Sequence, residues 1–184
     1  MDYKLLLGPY LVVIADFIFQ SIHFERKNHP KLSIMGAVAK LLSLFLVGGL
    51  VYVCMELVFR GHTHWTMFLL GAICFIEIGF LNEIMPWETP LELQAVTGAI
   101  LVTFNEFVSG CIINLGFGCN VWDYSNLPMN IMGQICIPFT ILWIFVSILA
   151  IVVDDILRYY LWGEELPRYY SCLWKEAIVL PLKK

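Results

Sequence analysis

The stretch LQAVTGAILVTFNEFVSGCIINL, residues 93–115, decides how the chain is read. It is long enough to cross a hydrocarbon layer about 30 Å thick as a helix. Its apolar residues run on without the every-second-residue alternation of a barrel strand, and its single charge is Glu106, near the middle. Four more such stretches flank it: Leu5–Ile22, Leu41–Phe59, Trp65–Leu81 and Ile131–Val153. The first is interrupted by Gly8, Pro9, Asp16 and Gln20; it is taken as a span, with an interfacial lie as the alternative.

Composition agrees with this pattern. Of 184 residues, 60% are hydrophobic and 14% charged, with mean hydropathy +0.79, whereas an ordinary soluble domain is about 25% charged. The expected architecture is all-α, a polytopic transmembrane bundle of about five spans in one membrane domain over 1–184, with 156–184 as a cytoplasmic tail. Net charge is -4 with no basic run, so nucleic acid is not an expected partner. The six cysteines form no CxxC pair and read as small packing residues.

Orientation follows from lysine and arginine, which cytoplasmic loops retain during insertion. Arg26, Lys27, Lys31, Lys40, Arg158, Arg168, Lys175, Lys183 and Lys184 fall on one side, and only Lys4 and Arg60 on the other. The amino terminus is therefore expected outside and the carboxyl terminus in the cytoplasm. Two loops then face outward: residues 60–65, with Arg60, His62, Thr63, His64 and Trp65, and residues 116–128, with Trp122, Asp123, Tyr124, Ser125 and Asn126. Tryptophan and tyrosine belong at the headgroup level of any membrane protein; the histidines, Arg60 and Asp123 are the more informative part.

Glu106 carries the strongest chemical signal, because a carboxyl group at that depth costs at least about 2.5–3.5 kcal/mol on insertion scales and must face protein or water. Gly98, Val102, Gly110 and Asn114 share its helix face, a small-residue stripe that lets another helix approach. The plainer reading is a protonated acid bonded to a neighbouring helix. Glu56 precedes Arg60 by one turn, the favourable order for a local ion pair. Gly48, Gly49 and Tyr52 are expected to bring that helix against the glycine face of residues 98–110, and Glu56 towards Glu106.

His62 and His64 are one residue apart and could clamp a metal with Glu56 or Asp123; hydrogen bonding or substrate contact is the preferred reading, and no metal or cofactor is expected. Thr63 is expected to cap the third span and Ser125 or Asn126 the fifth, with Pro128 at an early helical position. Asn130 and Gln134 would add polar groups at the mouth of the fifth span, and Pro138 would kink it. Ordinary capping plus a proline bend explains these residues equally well. Asp154, Asp155 and Arg158, with Glu83, Glu88 and Glu92, read as a solvated or partner-facing inner surface. The GxxxxGK[ST], GxSxG and kinase motifs are missing.

The run Gly48-Gly49-Leu50-Val51-Tyr52, then Glu56 and Arg60-Gly61-His62-Thr63-His64-Trp65-Thr66-Met67, together with Glu106, Gly110, Asn114, Val121-Trp122-Asp123-Tyr124-Ser125, Asn130 and Gly133-Gln134-Ile135, resembles the small bacterial membrane proteins of the CmpB-like, ABC-transporter type IV family. The likeness covers about residues 40–155. It implies a bacterial polytopic protein of the cell membrane and a permease-like component, with any ATP-driven role supplied by another subunit.

The leading expectation is a small multi-pass transport component that captures a polar or anionic solute, or a lipid headgroup, in an outward pocket. The expected ligand-binding residues are Glu56, Arg60, His62, His64, Glu106, Asn114, Trp122, Asp123, Tyr124, Asn126, Asn130 and Gln134. The bilayer surrounds it, and a homo-oligomer or a partner membrane or ATPase subunit would complete the path. The alternatives are a membrane-embedded enzyme acting on a lipid or isoprenoid, with His62 or His64 as general base, and a structural or regulatory subunit. No catalytic residue is assigned, so an enzyme is the less favoured class.

Overall fold

The protein is seen here as a computed structural model, which describes residues 4–86, 88–165, 167–172 and 177–179. Among them are five α-helices: α1 Lys4–Asn28, α2 Ile34–Arg60, α3 Trp65–Ile84, α4 Leu91–Gly110 and α5 Ile137–Trp162. α4 continues as a π-helical stretch over Cys111–Gly116. The described residues also include two short antiparallel strand pairs, β1 Asn130–Ile131 with β2 Ile135–Cys136, and β3 Arg168–Tyr170 with β4 Ala177–Val179.

Three segments, Ile34–Arg60, Leu91–Gly116 and Ile137–Trp162, are long and apolar enough to cross a membrane, and α3 has a shorter apolar part, Trp65–Leu81. Only 22% to 33% of the three spanning windows is buried within the protein. Leu50, Val58, Phe59, Phe104, Phe145 and Leu149 are exposed. A belt of this size on a water-soluble monomer would be a liability, but it is the normal contact surface with lipid.

α2 and α3 form one antiparallel pair and α4 and α5 another, and α3 lies against α4 and α5. Small residues set these approaches. A Cβ on Gly48 or Gly49 would run into the Phe75 or Phe68 side chain of α3, and one on Gly71 would meet Tyr52. Gly98 lies under Ser147 of α5 and Gly110 under Gln134. The expected meeting of the α2 and α4 glycine faces therefore does not occur: each glycine lies against a side chain of another element, not a second glycine surface.

The helix starts also differ from expectation. Residues 131–136, mostly apolar, lie in the β1–β2 hairpin, so α5 begins at Ile137 with Pro138 in its first turn, where proline is tolerated without a kink. The side chain of His64, not Thr63, caps α3 by accepting from the Thr66 amide. Neither Ser125 nor Asn126 caps α5, whose N-cap is Cys136 with no side-chain bond.

The largest departure lies at the end of the bundle where α1, α3 and α5 finish and α2 and α4 begin. Asp154, Asp155 and Arg158 do not face solvent: Asp154 is 0% and Arg158 1% exposed. Arg158 donates from Nε to Asp154 Oδ2 (2.5 Å) and from Nη1 to Glu25 Oε1 of α1 (2.9 Å). Lys40 of α2 donates to Glu25 Oε2 (2.6 Å) and also pairs with Glu164. One carboxylate thus joins α1, α2 and α5 in a network sealed from water. The segment after α5 folds back on the same end. Tyr169 is buried and donates its hydroxyl to Asp155 Oδ2 (2.8 Å), and burial together with that carboxylate pushes its phenol pKa upward. Ser171 bonds Glu92. Lys175, Lys183 and Lys184, counted in the basic tally, lie outside the described residues.

Candidate functional site

The other end of the bundle holds every residue expected to bind a ligand, and the structure connects most of them. The segment between α4 and α5, residues 117–136, lies across this end as a cap. Asn114, buried in the π-helical stretch, organises it: its Nδ2 donates to Trp122 O (3.0 Å) and Gln134 Oε1 (2.8 Å), and its Oδ1 accepts from the Val121 amide (2.7 Å). The indole of Trp122 donates to Gln134 O (2.9 Å). Gln134 returns its own amide NH2 to Met132 O (3.0 Å). Asn130 bridges Ser125 O, Leu127 O and the Gly133 amide. Asn120, Met129 and Met132 take left-handed backbone at φ 49°, 52° and 54°. For non-glycine residues this is a strained conformation held only where surrounding bonds over-determine it.

Two latches tie the cap to the helices. Arg60 at the end of α2 donates from Nη1 to Glu56 Oε1 (2.7 Å) and from Nη2 to Val121 O of the cap (2.5 Å). Thr63 occupies the second Glu56 oxygen (2.8 Å). Deeper in the bundle, Tyr124 reaches from the cap to donate its hydroxyl to Glu106 Oε1 (2.8 Å), and Trp143 of α5 donates its indole N–H to Oε2 (3.0 Å). The Tyr124 ring stacks on Phe139 at 4.6 Å. Burial, then the Glu106 carboxylate, drives the Tyr124 phenol pKa upward, so it remains a donor. Glu106 itself is 2% exposed.

The remaining expected residues do less. His62 donates from Nδ1 to Arg60 O (2.9 Å), leaving Nε2 to accept from Arg60 (3.4 Å); this tautomer follows from its partners. His64 serves as the α3 cap. Asp123 is exposed and turns back on Ser125, accepting from its amide (2.8 Å) and hydroxyl (2.5 Å), which lowers its carboxyl pKa. Asn126 is exposed. The side chains of His62, His64 and Asp123 thus bond to residues two positions away in sequence.

Below the cap lies a cavity of about 280 Å³ between α2 and α5, walled behind by α3 and α4. Glu106 and Trp143 stand at its cap-side end, and Gly48, Val51, Tyr52, Cys74, Val146 and Val153 are among the apolar and small residues along it. Its rim residues Val51, Leu149 and Val153 are exposed on the lipid-facing surface. The cavity therefore opens sideways, towards where hydrocarbon would be, rather than outward among Arg60, His62 and Asn126. The residue pattern along the chain identified Glu106 but not Tyr124 or Trp143 as its partners, nor this groove. The spacing Trp143, Val146, Ala150, Val153 along one face of α5 was the available signal.

At the opposite end, Glu25, His29 and Glu164 place ligand atoms within 4.8 Å of one another. Lys40 and Arg158 already sit on those carboxylates.

No solved structure matches this chain. Residues 43–167, about two thirds of the chain, match the family described as "Putative ABC-transporter type IV". That range begins within α2, takes in the cap and both latches, and ends beyond α5. The chain belongs to the family described as Putative ABC-transporter type IV.

Proposed function

We propose that the chain is a small multi-pass, permease-like component of a transport system in a bacterial cytoplasmic membrane, with five spans, its amino terminus outside and its carboxyl terminus in the cytoplasm. Family membership and the long apolar helices fit a membrane component of transport. One observation carries the finer reading: a carboxylate near the middle of a spanning helix is held by a hydroxyl from the cap and borders a groove inside the bundle. A buried ionisable group at that depth marks a pathway or binding site by default. Here its bond links the interior to the outer surface.

In this reading a ligand meets the cap, the Arg60–Val121 and Tyr124–Glu106 bonds part, and the polar group of the ligand reaches Glu106. A purely anionic solute fits less well than it did in the sequence, because Arg60 is already matched by Glu56. Five helices enclose little volume, so a second copy or an ATPase partner completes the path and supplies the energy.

The test compares sealed vesicles from cells producing wild type or Glu106→Gln, with metabolites and lipids measured inside and outside. The expected result is at least one compound whose distribution depends on the wild-type protein and reverts in the variant. Identical distributions, with both proteins folded and equally abundant, would overturn the proposal.

A further inference from the structure

The groove carries information about its occupant. Along α5 it extends from Trp143 to Val153, ten residues or about 15 Å at 1.5 Å per residue. That is half of a hydrocarbon core about 30 Å thick, the reach of one chain within one leaflet. Its volume of about 280 Å³ lies at the lower limit of small-molecule sites. A single chain fits, and a two-chain lipid held entirely inside does not.

The polar end specifies charge. Glu106 accepts one neutral donor on each oxygen, from Tyr124 and from Trp143. Among the described residues, no lysine, arginine or histidine lies within ion-pair distance of it. Both donors fix the carboxyl as an acceptor with further lone pairs directed elsewhere, in surroundings where an uncompensated charge is costly. A cation able to donate hydrogen bonds is the partner that would offset a charge on this carboxyl. We infer that the groove between α2 and α5 binds a single-chain amphiphile with a protonated amine head, the chain lying along Val51, Val146, Ala150 and Val153 and the ammonium pairing with Glu106. This rests on the transport reading above for its setting and names the ligand class.

Dodecylamine, dodecanol and dodecyl sulfate serve as probes, with binding to the full chain in phosphatidylcholine nanodiscs measured by native mass spectrometry. Wild type is expected to retain the amine at least about tenfold better than the sulfate, with the alcohol between them. Glu106→Gln should reduce that preference below about threefold, and Val51→Trp, which fills the groove from its exposed rim, should lose all three probes. Equal retention of the three by wild type, a comparison that needs no variant, would overturn the inference; so would an amine preference that survives Glu106→Gln. Should that preference be absent while the vesicle distributions still depend on Glu106, the ligand class fails and the transport reading stands. A Glu106-dependent preference without any vesicle difference would sink the transport reading and leave the site.

Discussion

Replacing Arg158 by methionine probes the network at the end of the bundle where α1 and α5 finish. The guanidinium is 1% exposed and bonds Asp154 at 2.5 Å and Glu25 at 2.9 Å. Methionine keeps much of the apolar stem but leaves Asp154, 0% exposed, with no cation in contact, its Oδ1 already lacking a hydrogen-bond partner. Removing one partner of a buried pair typically costs about 3–5 kcal/mol, because the other charge stays desolvated. That is roughly a 150- to 5,000-fold loss in the folded-to-unfolded ratio, a large share of the 5–15 kcal/mol on which most proteins rest. The assay is equilibrium unfolding in mixed micelles of mild detergent and dodecyl sulfate, followed by helical circular dichroism. Adding Asp154→Asn to Arg158→Met removes the stranded charge and should recover about 1–3 kcal/mol, the size of coupling expected between contacting residues. A single variant within 1 kcal/mol of wild type, or a double variant whose cost is the sum of its parts, would refute a coupled ion-pair network.

Tyr124→Phe keeps the stack on Phe139 and loses only the bond to Glu106. A hydrogen bond to a charged group is worth about 1.5–3 kcal/mol, so hydrogen exchange over residues 117–136 should accelerate at least tenfold while the helices remain protected; unchanged exchange counts against the latch. A cysteine pair at Gly49→Cys and Phe68→Cys should cross-link, and one at Gly49→Cys and Gly110→Cys should not, since Gly49 lies against Phe68 and Gly110 against Gln134; the reverse pattern would contradict the helix arrangement. Asp123 has its carboxyl pKa lowered by the Ser125 hydroxyl and amide. Its contribution to the cap is therefore complete above the unfolded carboxyl value of about 3.9 and disappears as pH falls through the folded value. The Ser125 amide, followed by nuclear magnetic resonance, should stay protected at pH 5 and lose protection below that range, and Ser125→Ala should move the transition to higher pH.

The helices were legible because continuous apolar runs leave few alternatives at this length. Boundaries were less so. Ile131, Ile135 and Cys136 are as apolar as the helix that follows, and only the pairing of Asn130 with Cys136 distinguishes a hairpin from a first turn. Glu106 stood out because a charge amid apolar residues is costly wherever it sits, but its partners lie 18 and 37 positions away and no local spacing predicts them. The glycine spacing suggests a surface for another glycine face, whereas each glycine receives an aromatic, hydroxyl or amide side chain. Asp154 and Arg158 looked like the solvated end of α5. Yet Trp143, Ser147, Ile151, Asp154 and Arg158 follow one another at three- and four-residue steps and form one buried stripe. The stripe was readable; the matching charges on α1 and α2, up to 133 positions away, were not.

A long-chain amine carrying a diazirine in its chain tests most directly whether the Glu106 groove is a ligand site. The protein is photolabelled in phosphatidylcholine nanodiscs and the adducts are mapped by peptide sequencing. Adducts should concentrate on residues 48–55 of α2 and 146–153 of α5, and fall several-fold in Glu106→Gln. Adducts spread evenly over lipid-facing Phe104, Phe145 and Leu46, with no dependence on Glu106, would mean that the groove is ordinary bilayer contact.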